Sequence, residues 1–176
     1  MRSPLAGVAL SALAACSPPM TAQNFTGSGP QMDPVRFFTG HVTSWGVIED
    51  RSGEPTARVT TDCLGRADGP DGLVMVQKLE REGQAPQQRE WHMRRTAPGR
   101  FEATANDMVG TATGEAAGRA FAWRWTLAST PGNPLLNVSM RQWMYAQNDG
   151  SVLIRTTISK LGVILAEVTE QFRHAD

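Results

Sequence analysis

From Phe37 onward the chain consists of short runs in which apolar and polar residues alternate with a period of two, each run closed by turn-forming residues. That pattern admits little besides an antiparallel sheet. Alternate residues of a strand point to opposite faces, and the gaps between runs are too short for crossover helices. Phe121 to Leu127 is the clearest run, with Phe121, Trp123, Trp125 and Leu127 on one face. Thr56 to Leu64 sets Ala57, Val59, Thr61 and Cys63 against Arg58, Thr60 and Asp62. Asp50-Arg51-Ser52-Gly53, Asp68-Gly69-Pro70-Asp71-Gly72, Pro98-Gly99, Asn106-Asp107 and Asn148-Asp149-Gly150 supply turn chemistry between runs. About nine to ten strands are predicted in this way. A meander of that size must hide its edges, and hairpin connections favour closure into a barrel over a sandwich. The expectation is an all-β, antiparallel up-and-down barrel over residues 35–176, with a helix only at Asp33 to Phe37, where Asp33-Pro34 reads as an N-cap followed by an N1 proline.

The first fifteen residues read as a signal peptide. Arg2 gives a minimal positive start, Pro4 to Ala15 is apolar or small throughout, and Leu13-Ala14-Ala15-Cys16 resembles a bacterial lipobox. Such a motif implies that Cys16 receives a diacylglyceryl group and becomes the first residue of the mature protein. The apolar stretch is too short for a membrane span, so the expected attachment is through lipid. Ser17 follows the cysteine where an aspartate would signal inner-membrane retention, which implies an outer-membrane address facing the periplasm. Residues 16–34, rich in proline and glycine and without apolar periodicity, read as a flexible tether.

Composition narrows the partners. With 17 basic and 17 acidic side chains the chain offers no basic field for nucleic acid. Only Lys78 and Lys160 are lysines, so nearly all positive charge is guanidinium. With Cys16 lipidated, Cys63 has no disulfide partner and reads as a buried small hydrophobe. Neither a zinc spacing nor any other cofactor motif is present.

Several motifs together resemble a domain-of-unknown-function family of proteobacterial lipoproteins, DUF3833. They are Phe37-Phe38-Thr39-Gly40, Trp45-Gly46-Val47 with Asp50-Arg51-Ser52-Gly53, Arg89-Glu90-Trp91, the run from Ala105 to Gly118, Trp143-Met144-Tyr145 and Ser159-Lys160-Leu161-Gly162. The resemblance implies an envelope address and a lipocalin-like barrel. It brings no activity and no catalytic residue.

The candidate ligand-binding residues are therefore chosen on chemistry. Trp91, Trp123, Trp125, Trp143 and Tyr145 offer large flat contacts with polar edges, suited to a pocket or to a core. Arg124 and Arg141 interrupt alternating strands and would clamp a carboxylate or phosphate if they faced a ligand. No GxSxG, HExxH or phosphate loop accompanies them. Three readings follow: a barrel that binds a fatty acid, lipid or other amphipathic ligand; an envelope scaffold for a protein partner; and an enzyme acting on a lipophilic substrate, which needs at least two of Lys160, Asp107 and His92 in one cavity. The scarcity of catalytic motifs favours the first two.

Overall fold

The structure, a computed structural model, describes residues 19–175. Cys16 and the expected signal peptide lie outside the described residues. Ten antiparallel strands, β1 (Gly40–Asp50), β2 (Pro55–Ala67), β3 (Gly72–Arg81), β4 (Gln87–Ala97), β5 (Arg100–Ala105), β6 (Met108–Ala117), β7 (Ala120–Leu127), β8 (Val138–Ala146), β9 (Val152–Lys160) and β10 (Val163–His174), form one closed barrel. Each strand pairs with its sequence neighbour, and β1 pairs with β10 to seal the wall, so no edge is left open. The turns do what their residues suggest. Asp50 Oδ1, for example, accepts the Ser52 amide at 2.8 Å and the Ser52 hydroxyl at 2.6 Å.

Alternation fixes which side chains enter the barrel. At one end Val42, Cys63, Leu73, Met93, Phe101, Phe121, Met144, Val152 and Phe172 are buried against one another. At roughly 1.5–3 kcal/mol for each large apolar side chain taken from water, this half holds the fold together. The same end is stoppered by a single helical turn, α1 (Pro34–Phe37). Its start follows the sequence expectation, since Asp33 Oδ1 accepts the Arg36 amide at 3.3 Å and proline occupies the first helical position. Met32, Val35 and Phe38 add to the core, and Phe38 meets Phe172 edge-on at 5.7 Å.

The expected flexible tether is corrected where it is described. From Thr21 the segment lies against the outside of the barrel as a strap. Ala22 and Met32 are buried, and Phe25 packs against Tyr145 at 5.7 Å and Trp143 at 6.1 Å. The Met32 amide donates to Gly118 O at 2.8 Å, and the Arg119 amide to Ser28 Oγ at 3.1 Å. A Cβ on Gly118 would stand 1.9 Å from Phe25 O, so the strap fits only over a glycine. Proline and glycine here let an irregular chain follow a curved wall, and three apolar side chains hold it there.

Candidate functional site

Beyond the packed half, the barrel interior changes character. β3 and β4 set Gln77 opposite Arg89, β8 and β9 set Gln142 opposite Thr156, and β10 contributes Glu170 opposite Gly46 of β1. All of these occupy inward positions of their strands, and together they form a polar layer at mid-height. The Trp91 Nε1–H donates to Gln77 Oε1 at 2.9 Å, and those of Trp123 and Trp125 to Gln142 Oε1 at 2.6 and 3.3 Å. Gln142 Nε2 in turn donates to Thr156 Oγ1 at 2.9 Å. The three indoles form one cluster, with Trp91 stacked on Trp123 at 5.0 Å and edge-on to Trp125 at 5.2 Å. Arg89 lies over Trp125, 4.7 Å from the ring centroid, and is gripped in bidentate fashion by Asp107 at 2.6 and 2.7 Å.

Glu170 is 7 % exposed, and its Oε1 accepts hydrogen bonds from Ser44 Oγ at 2.7 Å and Thr61 Oγ1 at 2.9 Å. Burial pushes its carboxyl above the ordinary value, and the two hydroxyl donors oppose that shift. Gly46 makes room for it. A Cβ there would stand 2.1 Å from Thr169 O and 2.7 Å from Glu170 Cγ.

Between this layer and the end opposite α1 lies a cavity of about 490 Å³. Above the polar layer Ile48, Val59, Leu79, Leu127, Ile158 and Val168 make most of its wall, with Gln87 and Arg81 toward the mouth, and it opens between the β3–β4 hairpin and the β7–β8 loop. Beneath the layer only about 40 Å³ of void remains. With the indoles committed to glutamine oxygens, the groups at the cavity floor without a protein partner among the described residues are Gln77 Nε2, Arg89 Nη1 and Glu170 Oε2. At the mouth, Arg81 has a buried Nε with no partner among the described residues. The floor is thus rich in donors, and a neutral Glu170 would add one more.

The predicted residues divide between two surfaces. Trp91, Trp123 and Trp125 converge inside, whereas Trp143, Tyr145, Arg124 and Arg141 belong to the outer face of β7 and β8, since their inward neighbours are Gln142 and Met144. The grouping of Lys160, Asp107 and His92 is not assembled. His92 pairs with Glu90 on the outer wall, Asp107 holds Arg89, and Lys160 donates to Leu135 O at the rim. Sequence reading missed Gln77, Arg89, Gln142 and Glu170. Their signal was a polar residue on an apolar face two positions from buried or half-buried apolar neighbours, as in Met140-x-Gln142-x-Met144 and Val168-x-Glu170-x-Phe172.

Comparison with known proteins fits this architecture. Residues 10–174 match the family described as "Protein of unknown function (DUF3833)". The chain belongs to that family. No curated protein matches it. Among solved structures, the DUF3833 chain is similar to the crystal structure of Rv2717c from M. tuberculosis at 12 % identity and a TM-score of 0.57, over 82 % of this chain and 99 % of that one. At that identity the likeness speaks to the fold alone.

Proposed function

We propose that the barrel binds an amphipathic small molecule, a fatty acid or related lipid, with its oxygen-bearing head on the mid-barrel donors and its apolar tail toward the mouth. The observation that carries this reading is the order of surfaces along one cavity: Gln77, Arg89 and Glu170 at its floor, a largely aliphatic wall above them, and polar side chains again only toward the opening. Its volume of about 490 Å³ falls in the range of small-molecule sites, roughly 300–1,000 Å³. The Arg89 charge is already balanced by Asp107, so the floor suits an acceptor held by several hydrogen bonds better than one held by a single free cation.

The same reading places the protein in the cell envelope, attached through a lipid on Cys16 and facing the periplasm from the outer membrane. The test is native mass spectrometry with lipid extraction on the chain from Ser17, exported to the periplasm without its anchor. A stoichiometric co-purifying lipid supports the proposal. A clean apo mass that persists after fatty acids and phospholipids are offered contradicts it and favours the scaffold reading.

A further inference from the structure

One lip of the cavity mouth carries a cluster of exposed aliphatic side chains. The β9–β10 hairpin runs past the rim and carries Leu161 at its tip, 96 % exposed, followed by exposed Val163, Ile164 and Leu165. Leu135, 79 % exposed, and Leu136 of the β7–β8 loop stand beside it, because Lys160 Nζ donates to Leu135 O and ties the loop to the hairpin. Three consecutive exposed aliphatics do not follow the alternation of a wall strand, and no described residue covers them.

Below this tip the outer wall changes in register. Thr126, Ser139 and Ser159 pair across β7, β8 and β9, and Ile164 completes that row from β10. The next row is Thr113, Arg124, Arg141 and Thr157. From β7 to β10 these two rows, with Gly162, line an outer groove of about 570 Å³. Arg124 and Arg141 face each other directly across the β7–β8 ladder and form no ion pair among the described residues. Like charges set opposite each other are unfavourable without an anion between them. Their row has an acid at each end: Glu102 of β5 stands beyond Thr113 and is ion-paired with neither arginine, and Glu167 of β10 is taken by Arg155, while the acids of the β1–β2 turn stand beyond β10.

We propose that this lip docks on a phospholipid bilayer, with the aliphatic tip entering the acyl region and Arg124 and Arg141 meeting lipid phosphates in the groove. The spacing fits. Leu161 is four residue steps from Thr157, about 13 Å at roughly 3.3 Å each, so a tip buried roughly 5–10 Å would hold the arginines at headgroup level. The inference rests on the cavity reading in one respect: docking here opens the apolar mouth onto the membrane, so that a lipid tail passes from bilayer to barrel without crossing water.

The test uses the chain from Ser17, which keeps every described element and lacks the acyl anchor, with vesicles of phosphatidylcholine alone or mixed with phosphatidylglycerol. Flotation is expected on the mixed vesicles. Leu161→Asp with Ile164→Asp is expected to lower the partition constant about tenfold or more, with thermal unfolding unchanged because both sites are exposed. Arg124→Gln with Arg141→Gln is expected to lower it about fivefold or more on anionic vesicles and little on neutral ones. A nitrobenzoxadiazole dye on Leu161→Cys should brighten on vesicles, while buried Cys63 stays unlabelled. Failure of the parent chain to float, flotation unaffected by the aspartates, or a dye that does not respond overturns the proposal. So does a dimer in sedimentation that the aspartates dissolve without any vesicle binding, which would assign the lip to a second copy. Solution binding of a soluble fatty acid, read by tryptophan quenching without vesicles, reports on the cavity separately.

Discussion

Gln142 is the hub of the interior, and replacing it with leucine tests how the polar layer is held. Its Oε1 accepts from Trp123 at 2.6 Å and Trp125 at 3.3 Å, and its amide donates to Thr156. Leucine fills similar space and offers none of these bonds. The Trp123 N–H, short and enclosed, is left unpaired at a cost of about 1–2 kcal/mol, and the longer Trp125 bond and the rotatable Thr156 hydroxyl add about 0.5 kcal/mol each. The expected loss is about 2–3 kcal/mol, which for a domain of this size lowers Tm by roughly 4–12 °C. Urea unfolding followed by far-UV circular dichroism reads the first figure and a thermal scan the second. In a Trp123→Phe background the same substitution should cost about 1 kcal/mol less, because the strongest donor is already gone. A loss below about 0.5 kcal/mol, or full additivity in that cycle, would refute the claim that these hydrogen bonds organise the layer.

Other outcomes follow from the same geometry. Glu170→Gln keeps the acceptor for Ser44 and Thr61 and removes the titration. Because the folded carboxyl is raised, its protonated form is what the fold stabilises, a contribution complete below the unfolded carboxylate value of roughly 4.3 and lost as pH rises through the folded one. The variant's stability relative to the parent should therefore increase across that interval in urea titrations at successive pH values; a constant difference would contradict the reasoning. Gly46→Ala, whose Cβ meets backbone oxygen at 2.1 Å, should destabilise by about 3 kcal/mol or more, measured the same way, and a loss under about 1 kcal/mol would mean that the β1–β10 pairing yields easily. Cys63 is fully buried and its thiol pushed up to about 12, so Ellman's reagent should leave it untouched at neutral pH until urea unfolds the chain.

The barrel was legible because period-two runs and turn residues are local signals. Phe121-x-Trp123-x-Trp125 declared its inward face, and Asp33-Pro34 declared the one helical turn. The site was legible only in part. Trp143 and Tyr145 belong to the same residue class as the inward indoles, yet they sit one register step away, alternating with inward Gln142, Met144 and Ala146. The strap of residues 21–33 was misread because its anchors, Ala22, Phe25 and Met32, follow no period; what fixes them is a groove made by strands far along the chain. Glu170 was invisible as a pair to Ser44 and Thr61, since those partners are 126 and 109 residues away and meet only when β1, β2 and β10 close the wall.

The central claim, a ligand held head-inward on the mid-barrel layer, is tested most directly by quenching the inner tryptophans. Trp45→Phe with Trp143→Phe leaves Trp91, Trp123 and Trp125 as reporters, all 3–5 % exposed, Trp125 lining the cavity and Trp91 and Trp123 packed against it beneath the polar layer. Medium-chain fatty acids brominated beside the carboxylate or at the terminal carbon are then titrated into the chain from Ser17. The account predicts saturable quenching that is stronger for the head-labelled acid. Stronger quenching by the tail-labelled acid would reverse the assigned orientation, and the absence of saturable quenching by either would contradict the binding claim itself.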